Sequence, residues 1–87
     1  MARKIEKLAI ANRGEVAVRI IRAAQELGIE TILLHSEADV ASLAYRLADK
    51  TVLIGPSNVQ ESYLNIEMNI NAAISADADA IHPGYGF

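Results

Sequence analysis

Two short segments have residue types that could bind an anion or a small molecule, and the first of them is Asn12-Arg13-Gly14. It joins an apolar run directly to a segment with helical spacing that starts near Glu15. The first turn of a helix has free N–H groups and a partial positive charge, so it can hold a phosphate or a carboxylate. The alternative is a plain strand-to-helix turn in which Asn12 or Gly14 serves only the backbone conformation. The spaced glycines of a dinucleotide-binding fingerprint are absent, and both interpretations stay open.

The second segment is Gly84-Tyr85-Gly86, which follows His82 and Pro83 near the end of the chain. Two glycines let the backbone approach a ligand closely, while the tyrosine ring between them packs or hydrogen-bonds. The alternative is a Pro-Gly turn with a tyrosine at the edge of the core. The pattern by itself does not decide between a ligand loop and a structural turn.

The histidines, His35 and His82, each follow or end a predicted strand. Two histidines without a third ligand make a poor metal site, so the sequence predicts ordinary hydrogen-bonded or surface histidines and no metal. Asp77 and Asp79 lie near a predicted loop-strand junction, where a solvated turn is the favoured interpretation. No Ser-His-Asp arrangement stands out, and we predict no catalytic residue in this chain.

One face of the first predicted helix carries Arg19, Arg22 and Glu26, which are spaced three and four residues apart. Glu15 and Arg19 can also pair across one helical turn. The simplest interpretation is a solvated face with weak ion pairs, each contributing ~0.3–0.5 kcal/mol. The alternative is a polar subunit interface, because arginine is enriched at such surfaces.

The elements that must position these residues alternate between apolar runs and helical patterns. Leu8-Ala9-Ile10-Ala11 is continuous and apolar, which is typical of a strand buried on both faces of a parallel sheet. The predicted strands are Lys7–Ala11, Thr31–His35, Thr51–Ile54 and Asp79–Ile81, and the predicted helices are Glu15–Leu27, Val40–Leu47 and Ile66–Ser75.

Helix ends are marked by three residues. Gly28 lies where the C-terminal cap of the first helix belongs, and Asp39 and Asn65 lie where the N-caps of the second and third helices belong. The third helix is expected to bury a stripe at helical spacing that consists of Ile66, Ile70, Ala73 and Ile74.

Alternating strands and helices predict an α/β fold with a parallel sheet and helices on both faces. We expect the strand order 3-2-1-4, a half-Rossmann-like arrangement with right-handed crossovers. The first and fourth strands are then neighbours whose connections leave in opposite directions, and open α/β sheets bind their ligands at such a switch point. The main site prediction follows: the loop Asn12, Arg13, Gly14 meets the loop that contains His82 and Gly84.

Composition excludes several classes of protein. The chain has 87 residues with 8 basic and 11 acidic side chains. It lacks a basic stripe interleaved with aromatic residues, which is the pattern that would suggest nucleic-acid binding. The apolar runs are far shorter than the ~20 residues that a membrane helix needs, and no signal-peptide core follows the N-terminus. The absence of cysteine fits a reducing compartment. We therefore expect a cytoplasmic chain without a nucleic-acid or membrane partner.

Several blocks of residues, taken together, carry a family resemblance. They are Ile10-Ala11-Asn12-Arg13-Gly14-Glu15-Val16-Ala17, Arg19-Ile20-Ile21-Arg22-Ala23, Glu26-Leu27-Gly28-Ile29, Ser36-Glu37-Ala38-Asp39, Ala48-Asp49, Ile54-Gly55-Pro56, Ser62-Tyr63-Leu64-Asn65 and Asp79-Ala80-Ile81-His82-Pro83-Gly84-Tyr85-Gly86-Phe87. Together they resemble the start of biotin carboxylases, the carboxylase units of acetyl-CoA, propionyl-CoA, methylcrotonyl-CoA and pyruvate carboxylases. The similarity extends over nearly all 87 residues in the expected order.

The resemblance implies that residues 1–87 are the first lobe of an ATP-grasp enzyme, truncated at its C-terminal end. Such an enzyme phosphorylates bicarbonate with ATP and carboxylates biotin on a carrier protein, and magnesium neutralises the phosphates. It implies that Tyr85 and Gly86 line the biotin end of the active site, and that Arg19, Arg22 and Glu26 lie at a homodimer interface. The implied partners are the remaining ATP-grasp lobes and the biotin carrier.

The family's ATP, metal and bicarbonate ligands come later in its sequence, so we expect the 87-residue piece alone to bind no cofactor and to be inactive. Two other functions stay open: a stand-alone interaction or dimerisation module, and a small nucleotide-binding domain.

The chain also departs from the family pattern. Asp77 replaces a usual glycine, and Asn69 is expected near the buried face, where an unpaired amide costs ~1–3 kcal/mol.

Overall fold

The computed structural model describes residues 4–85, which form a four-stranded sheet in the order β3-β2-β1-β4. All three pairings are parallel, so the predicted fold class and strand order are confirmed. The strands are β1 (Lys7–Ile10), β2 (Glu30–Ser36), β3 (Lys50–Gly55) and β4 (Ala80–His82), and the α-helices are α1 (Gly14–Glu26), α2 (Leu43–Leu47) and α3 (Ile66–Ser75).

The sheet lies between two apolar layers because successive side chains of a strand point to opposite faces. Ala9 of β1 packs into the layer under α3, whereas the next residue, Ile10, packs into the layer under α1 and α2. Both side chains are completely buried, as are Ile32 and Leu34 of the neighbouring strand. The continuous apolar runs of the sequence are thus explained by burial on both faces.

The second helix begins later than predicted. Residues Glu37–Asp39 form a 3-10 turn, and α2 starts only at Leu43. Its N-cap is Ser42, whose hydroxyl accepts a hydrogen bond from the Tyr45 N–H, so the prediction of Asp39 as the cap was wrong. The Asp39 carboxylate is instead directed into a buried polar cluster, described below, and cannot also cap a helix.

The buried face of α3 also differs from the prediction. The residues that it buries are Asn69, Ala72 and Ala73, whereas Ile66 and Ile74 are 74% and 70% exposed. Of the predicted stripe only Ala73 is buried. Apolar spacing alone cannot rank two adjacent faces of one helix, and here the small alanines let α3 approach the sheet while the isoleucines point outward. The predicted N-cap is confirmed, since the Asn65 side chain accepts from the Met68 N–H.

Both longer helices end in the same hydrogen-bonded motif, in which the residue after the C-cap has a left-handed backbone. After α1 this residue is Gly28, with φ of 74°. After α3 it is Asp77, with φ of 60°. The Ile29 N–H donates to the Ala24 carbonyl and the Ala78 N–H to the Ala73 carbonyl, which satisfies equivalent groups at the two helix ends. The third helix therefore uses aspartate at a position suited to glycine.

Replacing Asp77 by glycine is expected to stabilise the fold by about 0.5–1 kcal/mol, because glycine has no Cβ to strain a left-handed backbone. The change also removes an exposed ion pair with Lys7 at 3.4 Å, which contributes little. Urea unfolding measures the effect. Asp77→Asn is the control, because it removes the charge but keeps the side chain, and we expect a change of at most about 0.5 kcal/mol. A less stable Asp77→Gly variant would contradict the prediction.

Candidate functional site

The loops that follow β1 and β4 lie side by side at the carboxyl edge of the sheet. β1 and β4 are paired up to Ile10 and His82, and the Ala11 N–H extends this ladder by donating to the His82 carbonyl at 3.0 Å. β1 continues into α1 on one side of the sheet, while β4 is reached from α3 on the other. The structure thus forms the switch point that the strand order requires.

Asn12 connects the two loops. It is only 3% exposed, and its Nδ2 donates to the carbonyl oxygens of Pro83 at 2.8 Å and Tyr85 at 3.0 Å. Its Oδ1 accepts from the N–H of Arg13 at 2.7 Å. All three contacts involve backbone groups, so the side chain fixes the path of both loops rather than pointing at an open site.

Gly84 packs closely against Asn12. Its φ is 67°, and a Cβ added there would lie 2.5 Å from the Asn12 Nδ2 and 2.7 Å from a methyl group of Val16. The Gly84 N–H also donates to Nδ1 of His82 at 3.1 Å, which closes the turn. Gly14, at the start of α1, has φ of 60° but open space around its Cβ position. Of these two loop glycines, only Gly84 is required by both packing and backbone conformation.

Tyr85 is 72% exposed, and its ring borders a groove of about 310 Å³ between the loop and α3. Pro83, Ile66 and Ile70 also line this groove. Gly86, the other residue expected at a biotin pocket, lies outside the described residues. The exposed Tyr85 ring can contact a small, partly apolar molecule, whereas the isoleucines of the groove offer an apolar surface for packing.

Arg13 is not part of this groove. Its guanidinium extends toward β2, where an Nη lies 3.1 Å from Oδ1 of Asp39, and it stacks over the Tyr63 ring at 5.8 Å. The predicted loop Asn12-Arg13-Gly14 therefore divides: Asn12 faces the β4 loop, while Arg13 contacts the neighbouring strand end.

A buried cluster around Asp39 is the part of this edge that the sequence did not predict. Oδ2 of Asp39 accepts hydrogen bonds from the Ser36 hydroxyl at 3.0 Å and the Tyr63 hydroxyl at 2.5 Å. The Tyr63 hydroxyl in turn accepts from the Ser36 N–H. Ser36, Asp39 and Tyr63 are each at most 9% exposed. Such a cluster joins β2 to the segment before α3, and no periodic pattern in the sequence indicates it.

Asn69 has one buried atom without a partner. Its Nδ2 donates to the carbonyl oxygens of Ser62, Tyr63 and Asn65, which fixes the turn before α3. Within residues 4–85, its Oδ1 is the buried side-chain oxygen or nitrogen that lacks a hydrogen bond. The expectation that Asn69 lies near the buried face is thus confirmed. The nitrogen of its amide is hydrogen-bonded, whereas the oxygen is not.

Neither histidine lies in a metal-binding arrangement. His35 is buried, with Nδ1 2.9 Å from the Ser36 carbonyl and its ring edge-on to Tyr45. His82 is exposed and bonded within its own turn. In the part of the chain that the structure describes, no three His, Cys, Asp or Glu side chains are grouped to hold a metal ion.

Arg19, Arg22 and Glu26 all lie on the exposed face of α1. Nε of Arg19 is 3.3 Å from Oε1 of Glu15, one turn away, as the spacing suggested. Beside them an apolar groove of about 310 Å³ runs between α1 and the β1–β4 side of the sheet, bordered by Leu27 and Ile20.

Among residues 4–85, no helix is long and apolar enough to span a membrane.

Residues 4–87 match the family described as the biotin carboxylase N-terminal domain. The chain belongs to this family. It is 55% identical over 87 residues to a biotin carboxylase of Allochromatium vinosum, covering 100% of this chain and 19% of that protein. It is 49% identical over 83 residues to the mitochondrial methylcrotonoyl-CoA carboxylase subunit alpha of Oryza sativa, covering 95% of this chain and 11% of the other.

A solved structure gives the same result at the level of the fold. The biotin carboxylase domain of a thermophilic 2-oxoglutarate carboxylase, bound to bicarbonate, superimposes with a TM-score of 0.88 at 43% identity. That match covers 95% of this chain and 18% of the other. The chain therefore spans about a fifth or less of the carboxylases that it matches, and it corresponds to their N-terminal domain.

Proposed function

We propose that this chain is the N-terminal lobe of a complete biotin carboxylase, which carboxylates carrier-bound biotin with ATP and bicarbonate. The observation that carries the proposal is the match of residues 4–87 to the family's N-terminal domain, in a chain whose β1 and β4 loops meet at the switch point. The catalytic role belongs to the whole enzyme, and the 87-residue piece alone is expected to be inactive.

Within that enzyme, the loop at Tyr85 and Gly86 is the contribution of this lobe to the biotin end of the site. The exposed ring of Tyr85 offers an apolar face, and its hydroxyl is a hydrogen-bond partner for a ureido group. ATP supplies the phosphoryl group that activates bicarbonate. As the family resemblance implies, we assign magnesium and the phosphates to the following lobes, where the family's ATP and metal ligands lie.

This lobe has an apolar surface against which the polypeptide that follows it in the complete enzyme can pack. β4 is an edge strand, and the exposed Ile66, Ile70 and Ile74 form an apolar row at four-residue spacing on α3. A right-handed crossover from β4 to a new strand beyond it places the connecting helix on the same sheet face as α3. We therefore expect the polypeptide that follows to cover this row, because exposed apolar patches of this kind mark contact surfaces.

The test uses the full-length protein that carries this sequence. Bicarbonate-dependent ATP cleavage that is stimulated by biotin, together with carboxylation of a biotin carrier protein, is the expected result. Tyr85→Ala is expected to raise KM for free biotin about tenfold while KM for ATP changes little, because the proposal assigns the ring to the biotin end of the site alone. A full-length protein that never carboxylates biotin would refute the proposal.

A second, compatible role is dimerisation through α1. Arg19, Arg22 and Glu26 carry both charge signs on one exposed face, and a two-fold axis can pair the arginines of one copy with Glu26 of the other. The apolar groove beside them would then become buried. Arg19→Glu is expected to convert a dimer to a monomer in sedimentation velocity. A wild-type monomer, or an unaffected dimer, would remove this role and leave the carboxylase proposal intact.

A further inference from the structure

Asn12 makes more hydrogen bonds than a strand-to-helix turn requires. Both protons of its Nδ2 are donated to carbonyl oxygens of one loop, those of Pro83 at 2.8 Å and Tyr85 at 3.0 Å. Its Oδ1 is held by the Arg13 N–H at 2.7 Å. With three partners and 3% exposure, the amide has one orientation available to it.

The loop that it holds is otherwise exposed. Pro83 and Tyr85 are exposed, and Gly84 between them is half-buried against Asn12 itself. A short exposed loop with a glycine samples many backbone conformations unless its polar groups are tied to the core. The Asn12 bonds lie on both sides of Gly84 and so fix the peptide groups from which the Tyr85 ring projects.

We propose that Asn12 is a positioning residue for biotin, which acts by holding the Tyr85 loop in its binding geometry. This inference rests on the proposed function, since it assumes that the loop contacts biotin. Asn12 does not itself contact the substrate, because its polar atoms are already bonded to backbone. Its role is to remove the conformational freedom that biotin binding would otherwise have to restrict.

The chemistry of the position requires an amide. Aspartate has the same shape and keeps an acceptor for the Arg13 N–H, but it has no protons to donate and places a negative oxygen beside two carbonyl oxygens. Asn12→Asp therefore releases the loop while leaving the volume of the side chain unchanged.

The experiment measures steady-state kinetics of the full-length carboxylase with free biotin, and ATP cleavage with bicarbonate but without biotin. Asn12→Asp is expected to raise KM for biotin about tenfold, since two hydrogen bonds are lost. KM for ATP and the biotin-independent ATP cleavage should stay within about twofold of wild type. Asn71→Asp, which adds the same charge at an exposed position on α3, is the matched control and should change neither value.

Gly84→Ala serves as a second variant, because its Cβ would displace the Asn12 amide without adding charge. It should reproduce the biotin-specific defect. Equal losses of turnover and of biotin-independent cleavage in both variants, with KM for biotin unchanged, would show a merely structural role and overturn the inference. Tyr85→Ala separates the two proposals. If Tyr85→Ala raises KM for biotin but Asn12→Asp and Gly84→Ala do not, only the positioning role of Asn12 is refuted. If Tyr85→Ala leaves KM for biotin unchanged, both the role of the Tyr85 loop and that of Asn12 are refuted.

Discussion

Asp39→Ala is expected to lower the free energy of unfolding by about 2–4 kcal/mol. The carboxylate accepts hydrogen bonds from the hydroxyls of Ser36 and Tyr63 and pairs with Arg13. Hydrogen bonds to a buried charged acceptor contribute about 1.5–3 kcal/mol each, and removing it leaves buried hydroxyls with an unused proton. Because the Arg13 side chain is 41% exposed, its part of the effect is small. Urea unfolding followed by circular dichroism gives the value.

Glu37→Ala is the matched control for this change. Glu37 is an acidic residue in the same 3-10 turn, but it is exposed, so its removal should alter stability by at most about 0.5 kcal/mol. Tyr63→Phe removes one donor from the cluster and should cost about 1–2 kcal/mol. If Asp39→Ala costs no more than Glu37→Ala, the cluster does not stabilise the connection between β2 and α3.

The same cluster predicts a loss of stability at high pH. Burial, together with the hydrogen bond to Asp39, raises the pKa of Tyr63 to about 12, from a usual value of 10.0. The folded state therefore favours the protonated phenol. This contribution is complete below pH 10 and is lost as the pH rises toward 12. The Tyr63→Phe variant should lack this loss of stability between pH 10 and pH 12, whereas the Tyr45→Phe variant should still show it.

Gly55→Ala is expected to destabilise the fold by about 2–4 kcal/mol, mainly through a steric clash with backbone. A Cβ at this position would lie 2.6 Å from the carbonyl oxygen of Glu61, in the turn that precedes Ser62 and Tyr63. Backbone cannot move aside as the end of a flexible side chain can, so we expect a cost at or above the upper part of the range of about 1–3 kcal/mol that is typical of overpacking. The end of β3 and the turn at Glu61 must separate to admit the methyl group.

Gly28→Ala tests whether the clash, rather than the loss of a glycine, is responsible. At Gly28 no atom lies within 4 Å of the position that the new methyl group would take, so only the left-handed backbone opposes the change. We expect about 1 kcal/mol there. Thermal unfolding of both variants compares them directly. Equal losses at the two positions would show that the approach of Glu61 to Gly55 is not tight in solution.

Much of the architecture was predictable because it depends on local patterns. Ala9 and Ile10 belong to a continuous apolar run, which is typical of a strand buried on both faces of a parallel sheet. Gly28 and Asn65 were predicted at helix ends from residue type and position. The structure confirms Asn65 as the N-cap of α3 and places Gly28, with its left-handed backbone, directly after Leu27, the C-cap of α1. The strand order then followed from the alternation of elements and the handedness of crossovers.

Other features could not be read from the chain, since they depend on which distant groups meet. Asp39 was assigned to a helix cap because aspartate favours that position, but the nearby hydroxyl of Tyr63 and the guanidinium of Arg13 bind it instead. From the sequence, Asp39 could cap a helix or join a buried cluster. The contact with Tyr63, 24 positions along the chain, decides for the cluster.

The sequence by itself determined the α/β fold, the family of the chain and the two loops that meet at the sheet edge. Tertiary structure decided how those loops are joined: the amide of Asn12 bonds to the carbonyls of Pro83 and Tyr85, more than 70 positions along the chain. It also decided that α3 turns its alanines inward and its isoleucines outward. Local propensity and periodicity act within a few residues, whereas side-chain partners and the choice between two apolar faces depend on contacts that exist only after the sheet has formed.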